Sequence, residues 1–341
     1  MNASCFNRMV LESPVRLALP IAVYPGLALT GATVRDVVTQ PRAQVETQLA
    51  LRERYGATFA LSAMDLSAEA EAFGCPVHLS ESEVPSVTGR LVTSLAEARN
   101  LNIPKPGDAR TSVHLEAVTQ LRALAGDGLV FGGCIGPFSL AARLAGVSEA
   151  MELTLTEPEL MHGLVAKSAE FLTAYARAFR DAGADGLIMA EPAAGLLSPR
   201  GLTGFSSAYI KHLVETVEDG HFSIILHNCA ARLVHLPAIL ESGVSCLHFG
   251  GPMDLPAALN KVPGDVVLCG NLDPAGVFCQ KSPAEVGAAV TALLDATRAH
   301  PNFVLSSGCD IPPNAPLAGL DAFYAALREF NAAPQPSNAS L

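Results

Sequence analysis

Charge is scarce in this sequence: 16% of its 341 residues are Asp, Glu, Lys or Arg, against 50% apolar. A chain so composed can bury a large core, which sets global disorder aside. Basic residues are outnumbered, 22 against 33 acidic, for a net charge of −11, and nowhere do they cluster. That argues against a nucleic-acid surface. No apolar run approaches the roughly 18 residues of a membrane span. Met1–Arg8 lacks a basic leader followed by an apolar block, so the chain reads as cytoplasmic. Cysteine, eight in all, is too sparse for a disulfide scaffold. Cys75, Cys134, Cys246, Cys269 and Cys279 are expected as ordinary thiols, and Cys5 in a poorly ordered terminus. There is no Gly-x-Gly-x-x-Gly turn, no internal repeat, and no low-complexity tract before a flexible Pro/Ser/Asn tail at 332–341.

What is present is alternation. Apolar runs at Leu17–Val23, Ala57–Met64, Gly128–Gly133, Gly186–Ala190, Ser223–His227, Val244–His248, Asp265–Cys269 and Phe303–Ser306 read as strands. Helical spacing separates most of them, as over 34–55, 109–125, 158–182, 203–217 and 284–300. Eight strands alternating with helices is the count of a (β/α)8 TIM barrel, one domain over 1–331. Residues 66–106, rich in Ser, Glu and Pro, read as an insertion over its mouth.

Chemistry-bearing residues follow the apolar runs directly: Asp65, Glu191, His227 with Cys229, His248, Asn271 with Asp273, and Cys309. In a barrel those positions ring one mouth, where active sites are built. His227 and Cys229, two apart on a strand, face one way. With Cys309 they make one imidazole and two thiolates, the ligand count of a zinc site with an open position. Such a site suits a substrate thiol, whose pKa it lowers, or a water for hydrolysis. The plain alternative is a hydrogen-bonded core histidine and two core thiols.

A resemblance joins these residues. Asp65–Cys75, Gly136–Ala141, Glu191–Pro199, His227-Asn-Cys229, Gly270–Pro274 and Gly308–Pro316 occur in an order that resembles the uroporphyrinogen decarboxylase superfamily. Within it, the chain is similar to the zinc-dependent methylcobamide:thiol methyltransferases, from about Pro20 to Phe330. It departs from their pattern at Ala230, where they commonly carry glycine. The resemblance implies a (β/α)8 barrel with zinc on His227, Cys229 and Cys309. It also implies a methylcorrinoid carried on a partner protein as methyl donor, and a small thiol such as coenzyme M or homocysteine as acceptor. The rivals are a decarboxylase-like lyase, for which Pro20–Gly26 lacks the arginines that would grip a polycarboxylated tetrapyrrole, and a non-catalytic corrinoid-handling protein. A monomer or a homodimer is expected.

The remaining candidates carry two readings each. Asp65 orients acceptor or corrinoid, or caps a turn. Glu191 approaches zinc or thiol, or pairs with an arginine. His248 is a fourth zinc ligand or a satisfied core histidine. Asn271 and Asp273 touch the cofactor, or shape the turn before Pro274.

Overall fold

The computed structural model describes residues 5–333. The tail expected from 332 falls outside them beyond Ala333, and Ala332 ends a helix. Seven parallel strands form one curled sheet in chain order. They are β1 (Phe59–Leu61), β2 (Leu129–Ile135), β3 (Gly186–Ala190), β4 (Ser223–Asn228), β5 (Cys246–Phe249), β6 (Val267–Leu272) and β7 (Phe303–Ser307). Parallel strands buried on both faces need apolar residues at both parities. Ile188, Ile225, Val267 and Val304 fill the inside, while Leu187, Leu226, Leu268 and Phe303 pack outward under the helices.

The expected first strand, Leu17–Val23, is reduced to a single bridge between Ala18 and Leu305. Leu305 N donates to Leu17 O and Leu19 N to Leu305 O. There the ladder stops, because the Ser306 hydroxyl takes Leu19 O, and on the β1 side Pro20 has no N–H to donate. Ile21 N finds the Ser307 hydroxyl instead, at 3.0 Å. The seam to β1 is spanned by a side chain: with its amide nitrogen turned toward them, Gln48 reaches Ala22 O and Leu61 O at 3.3 Å each. The fold is a TIM barrel whose eighth position is held to β7 by one bridge and to β1 by a side chain.

The opposite end of the barrel is plugged. Helix α1 (Cys5–Glu12) sets Phe6 edge-on to Phe59 and Phe131, with ring centres 5.5 Å apart in both pairs. Asn7 donates to Ser245 O and Asp265 O, just ahead of β5 and β6. Cys5, expected in a loose terminus, is therefore the first residue of the plug helix.

Around the sheet stand α2 (Pro41–Tyr55), α3 (Thr111–Leu124), α4 (Pro137–Ala145), α5 (Pro158–Asp181), α6 (Ala208–Val217), α7 (Pro283–Ala296) and α8 (Leu317–Ala332). A further helix, Val147–Thr156, has only Ala150 fully buried; so thin an apolar stripe left no periodicity to read. The stretch 66–106 holds two short helices and a two-stranded ribbon, Val77–His78 with Ser86–Val87. No helix among the described residues is long and apolar enough to cross a membrane.

Candidate metal centre and its cavity

Register builds the centre. Ala190 pairs with His227 and His227 with His248, so one row across β3, β4 and β5 sets the two imidazoles side by side. Cys229 follows β4 at the same parity as His227, and Cys309 follows β7. The Nε2 or Nδ1 of His227 and the sulfurs of Cys229 and Cys309 lie within 4.8 Å of one another. Two sulfurs at the zinc–thiolate distance of about 2.3 Å in a tetrahedron stand roughly 3.8 Å apart. The donor set fits a zinc ion with little rearrangement.

Hydrogen bonds fix which nitrogen of His227 is free. The Ser306 hydroxyl donates to Leu19 O, so its oxygen accepts from Nε2–H of His248, 2.8 Å away. Burial first, and His227 second, push the His248 pKa well below its ordinary value, so it is neutral with one N–H. Its Nδ1 then accepts from Nδ1–H of His227, at 2.8 Å. That leaves His227 Nε2 with a lone pair. This atom is buried and has no partner among the described residues, an arrangement that a metal relieves. His248 spends both nitrogens behind the ligand, and the fourth-ligand expectation finds no lone pair there to support it.

The two thiols share a proton. The hydrogen bond from Cys309 holds Cys229 down to about 4, against the opposing effect of burial. Cys309 is pushed far up, first by the charge on Cys229 it must donate to and then by burial. We take the pair as one thiolate on Cys229 and one thiol on Cys309 until a cation displaces the second proton.

The cluster opens into a cavity of about 280 Å³. Tyr24, Asp65, Arg143 and Asp310 line it together with His227, Cys229 and Cys309, and Val84 and Pro85 of the 66–106 stretch reach its wall. Burial raises the Asp310 pKa well above the ordinary carboxyl range. Its Oδ1 and the Tyr24 hydroxyl are buried without partners among the described residues. Tyr24, Arg143, Asp310 and Ser306 were not singled out from sequence. Ser306 shares the inward parity of Val304, and Asp310 directly follows Cys309, two signals that were available.

Other strand-end candidates are occupied elsewhere. Asp65 lines the cavity, yet its Oδ1 accepts from Ser67 N and the Ser67 hydroxyl and its Oδ2 pairs with Arg110. Glu191 is turned away from the cavity. Its carboxylate accepts from Phe138 N and Ser139 N at the start of α4, 2.8 Å each, and from the Ser206 hydroxyl at 2.9 Å. It is an anion seated on a helix N-terminus, and the expected approach to metal or thiol is not what the fold gives it. Asn271 donates to Gly250 O and Met253 O, tying the β5 loop to β6. Asp273 accepts from Ala275 N and Gly276 N in a turn. Neither lines the cavity, and the hydrogen bonds both residues make are those of the turn-shaping role.

The family profile described as "Uroporphyrinogen decarboxylase (URO-D)" matches residues 22–330. A curated relative of Methanosarcina mazei, "Methylcobamide:CoM methyltransferase MtbA", is 30% identical over 260 residues, 75% of each chain. A "Uroporphyrinogen decarboxylase" of Ectopseudomonas mendocina is 27% identical over 348 residues, 96% of this chain and 97% of the relative. Among solved structures, a "methyltransferase from Methanosarcina mazei" superposes with TM-score 0.86 at 24% identity, covering 96% of this chain and 98% of that one.

Proposed function

The chain belongs to the uroporphyrinogen decarboxylase (URO-D) family, and from that premise we propose a zinc-dependent methyltransferase that moves a methyl group from a methylated corrinoid to a small thiol. The observation that carries this reading is the unpartnered His227 Nε2 grouped with Cys229 and Cys309 on a cavity wall. The relative of M. mazei, named as a methylcobamide:CoM methyltransferase, supports it.

A zinc ion held by His227, Cys229 and Cys309 would bind the acceptor sulfur and lower its pKa, so that a thiolate exists at neutral pH. The residues supply the rest. Cys229 and Cys309, both ionised, balance the divalent charge, and Cys309 gives up its proton as the site fills. His248 and Ser306 keep the His227 lone pair aimed at the site. Transfer of the methyl group to that thiolate would form a carbon–sulfur bond and break the cobalt–carbon bond, with both electrons left on cobalt as Co(I). The thiol proton goes to solvent. The corrin ring, carried by a partner protein, would present its methyl group at the mouth of the cavity.

The decarboxylase reading has relatives of comparable identity on its side. It leaves the two thiolates without a task, and Pro20–Gly26 offers no arginine for a polycarboxylated tetrapyrrole. Methylcobalamin mixed with a panel of thiols, followed by loss of the Co–CH₃ absorbance, separates the readings. Zinc-dependent loss with a methylated thiol as product supports the proposal. Release of CO₂ from uroporphyrinogen without that loss supports the lyase, and neither reaction supports a corrinoid-handling protein.

A further inference from the structure

Cys229 and Cys309 follow strands that are not neighbours. β5 and β6 lie between β4 and β7 in the sheet, and at about 4.8 Å per strand the two are roughly 14 Å apart along it. Their sulfurs nonetheless fall in one group with His227, within 4.8 Å of one another. Between the loops that carry them lies the loop after β5, which begins Gly250-Gly251.

Gly250 and Gly308, both buried, make the contact. A Cβ on Gly250 would stand 2.2 Å from Cys229 O and 2.8 Å from Cys229 Cα. A Cβ on Gly308, the residue before Cys309, would stand 3.1 Å from Gly250 Cα, 3.1 Å from Asn271 O and 3.0 Å from Gly251 N. All of these are backbone atoms, which cannot rotate aside as the end of a side chain can. Neither glycine has a positive φ, so the positions require a missing side chain rather than a left-handed backbone. The loop is also tied down. Asn271 donates to Gly250 O and Met253 O, and Met253 N donates to Gly250 O as well. Gly308 N donates to Leu272 O.

We infer that Gly250 and Gly308 are positioning residues of the metal centre: their bare backbones form the spacer that sets Cys229 and Cys309 at the separation one ion needs. This rests on the metal-centre reading above. Carbon atoms in contact stand about 3.5–4.0 Å apart, so a methyl group at position 250 displaces the Cys229 backbone by about 1 Å. Metal–ligand distances tolerate about 0.2 Å. The displaced thiolate is lost from the site.

The test compares wild type, Gly250→Ala and Gly308→Ala, with Gly132→Ala as the control. A Cβ at position 132 would meet Phe179 Cδ1 at 2.6 Å and Leu187 Cδ2 at 2.7 Å, in the packing under α5. It disturbs the core without touching the spacer. Gly250→Ala should bind zinc about 10- to 100-fold more weakly in competition with a chromophoric chelator. With cobalt(II) in place of zinc, its thiolate-to-metal absorbance per bound ion should fall to about half, one of two thiolates having left. Gly308→Ala, whose contacts are looser, should shift both in the same direction by less, and Gly132→Ala should change neither. Phenylarsine oxide, which bridges two neighbouring thiols with loss of water, gives a metal-free readout. It should protect Cys229 and Cys309 from iodoacetamide together in zinc-free wild type, and not in Gly250→Ala. Unchanged zinc affinity in a folded Gly250→Ala, or in Gly308→Ala where the first variant does not fold, overturns the inference. So does an equal loss in Gly132→Ala, or a wild type that the arsenical does not bridge. If wild type takes up neither zinc nor cobalt, the metal reading fails by itself, and the arsenical still decides whether the two glycines hold the sulfurs together.

Discussion

Ser306→Ala removes one hydroxyl and alters nothing that lines the cavity. In the wild type its proton goes to Leu19 O and its oxygen accepts from His248 Nε2–H. Without it, His248 is free to carry its single proton on Nδ1. It then donates toward His227 Nδ1, and the His227 proton must move to Nε2, the atom a metal needs bare. Outer hydrogen bonds of this kind are worth about 10- to 100-fold in metal affinity, or roughly 1.4–2.7 kcal/mol. The variant should bind zinc weaker by that factor in competition with a chromophoric chelator near neutral pH. It should also lose about 1–3 kcal/mol of stability, since a buried carbonyl is left unsatisfied. Ser306→Thr, which restores the hydroxyl, should recover most of the affinity. Ser306→Ala binding zinc within twofold of wild type would refute the relay.

Two further outcomes concern stability. Glu69 is buried, one oxygen accepts from Ile135 N and the other has no partner among the described residues; burial pushes its pKa up to about 8. A carboxyl raised on folding stabilises most below its unfolded value and loses that contribution as pH rises through the folded one. The wild type should therefore lose up to about 4 kcal/mol between pH 5 and pH 9 from this group. Glu69→Gln should gain in Tm relative to wild type over that range, and a difference that stays constant with pH sinks the assignment. Gly136→Ala places a Cβ 2.3 Å from Glu191 Cγ and 2.5 Å from its Cδ. The carboxylate must leave the start of α4, at a cost of about 2–4 kcal/mol, and a denaturation midpoint equal to wild type contradicts that role.

Much of the barrel was legible because buried parallel strands are short apolar runs, and the pairing of His227 with Cys229 because parity on a strand is a local property. Contacts distant in sequence were not legible. Asp65 and Glu191 end strands as active-site carboxylates do, yet Arg110 holds one, and Phe138, Ser139 and Ser206 the other. His248 became an orienting residue only through Ser306, 58 positions away. Pro20 announced that Leu17–Val23 would pair poorly, and that signal was in plain view. The plug helix carries its apolar face in Phe6 and Val10, too short a pattern to separate from a loose terminus.

The central claim is that His227, Cys229 and Cys309 hold the zinc on which methyl transfer depends. Zinc content and the rate of Co–CH₃ loss, measured on the same preparations of wild type and Cys309→Ser, test it most directly. The account predicts about one zinc per chain and thiol-dependent transfer in wild type, with both lost together in the variant. A folded Cys309→Ser protein that transfers methyl without zinc would contradict it.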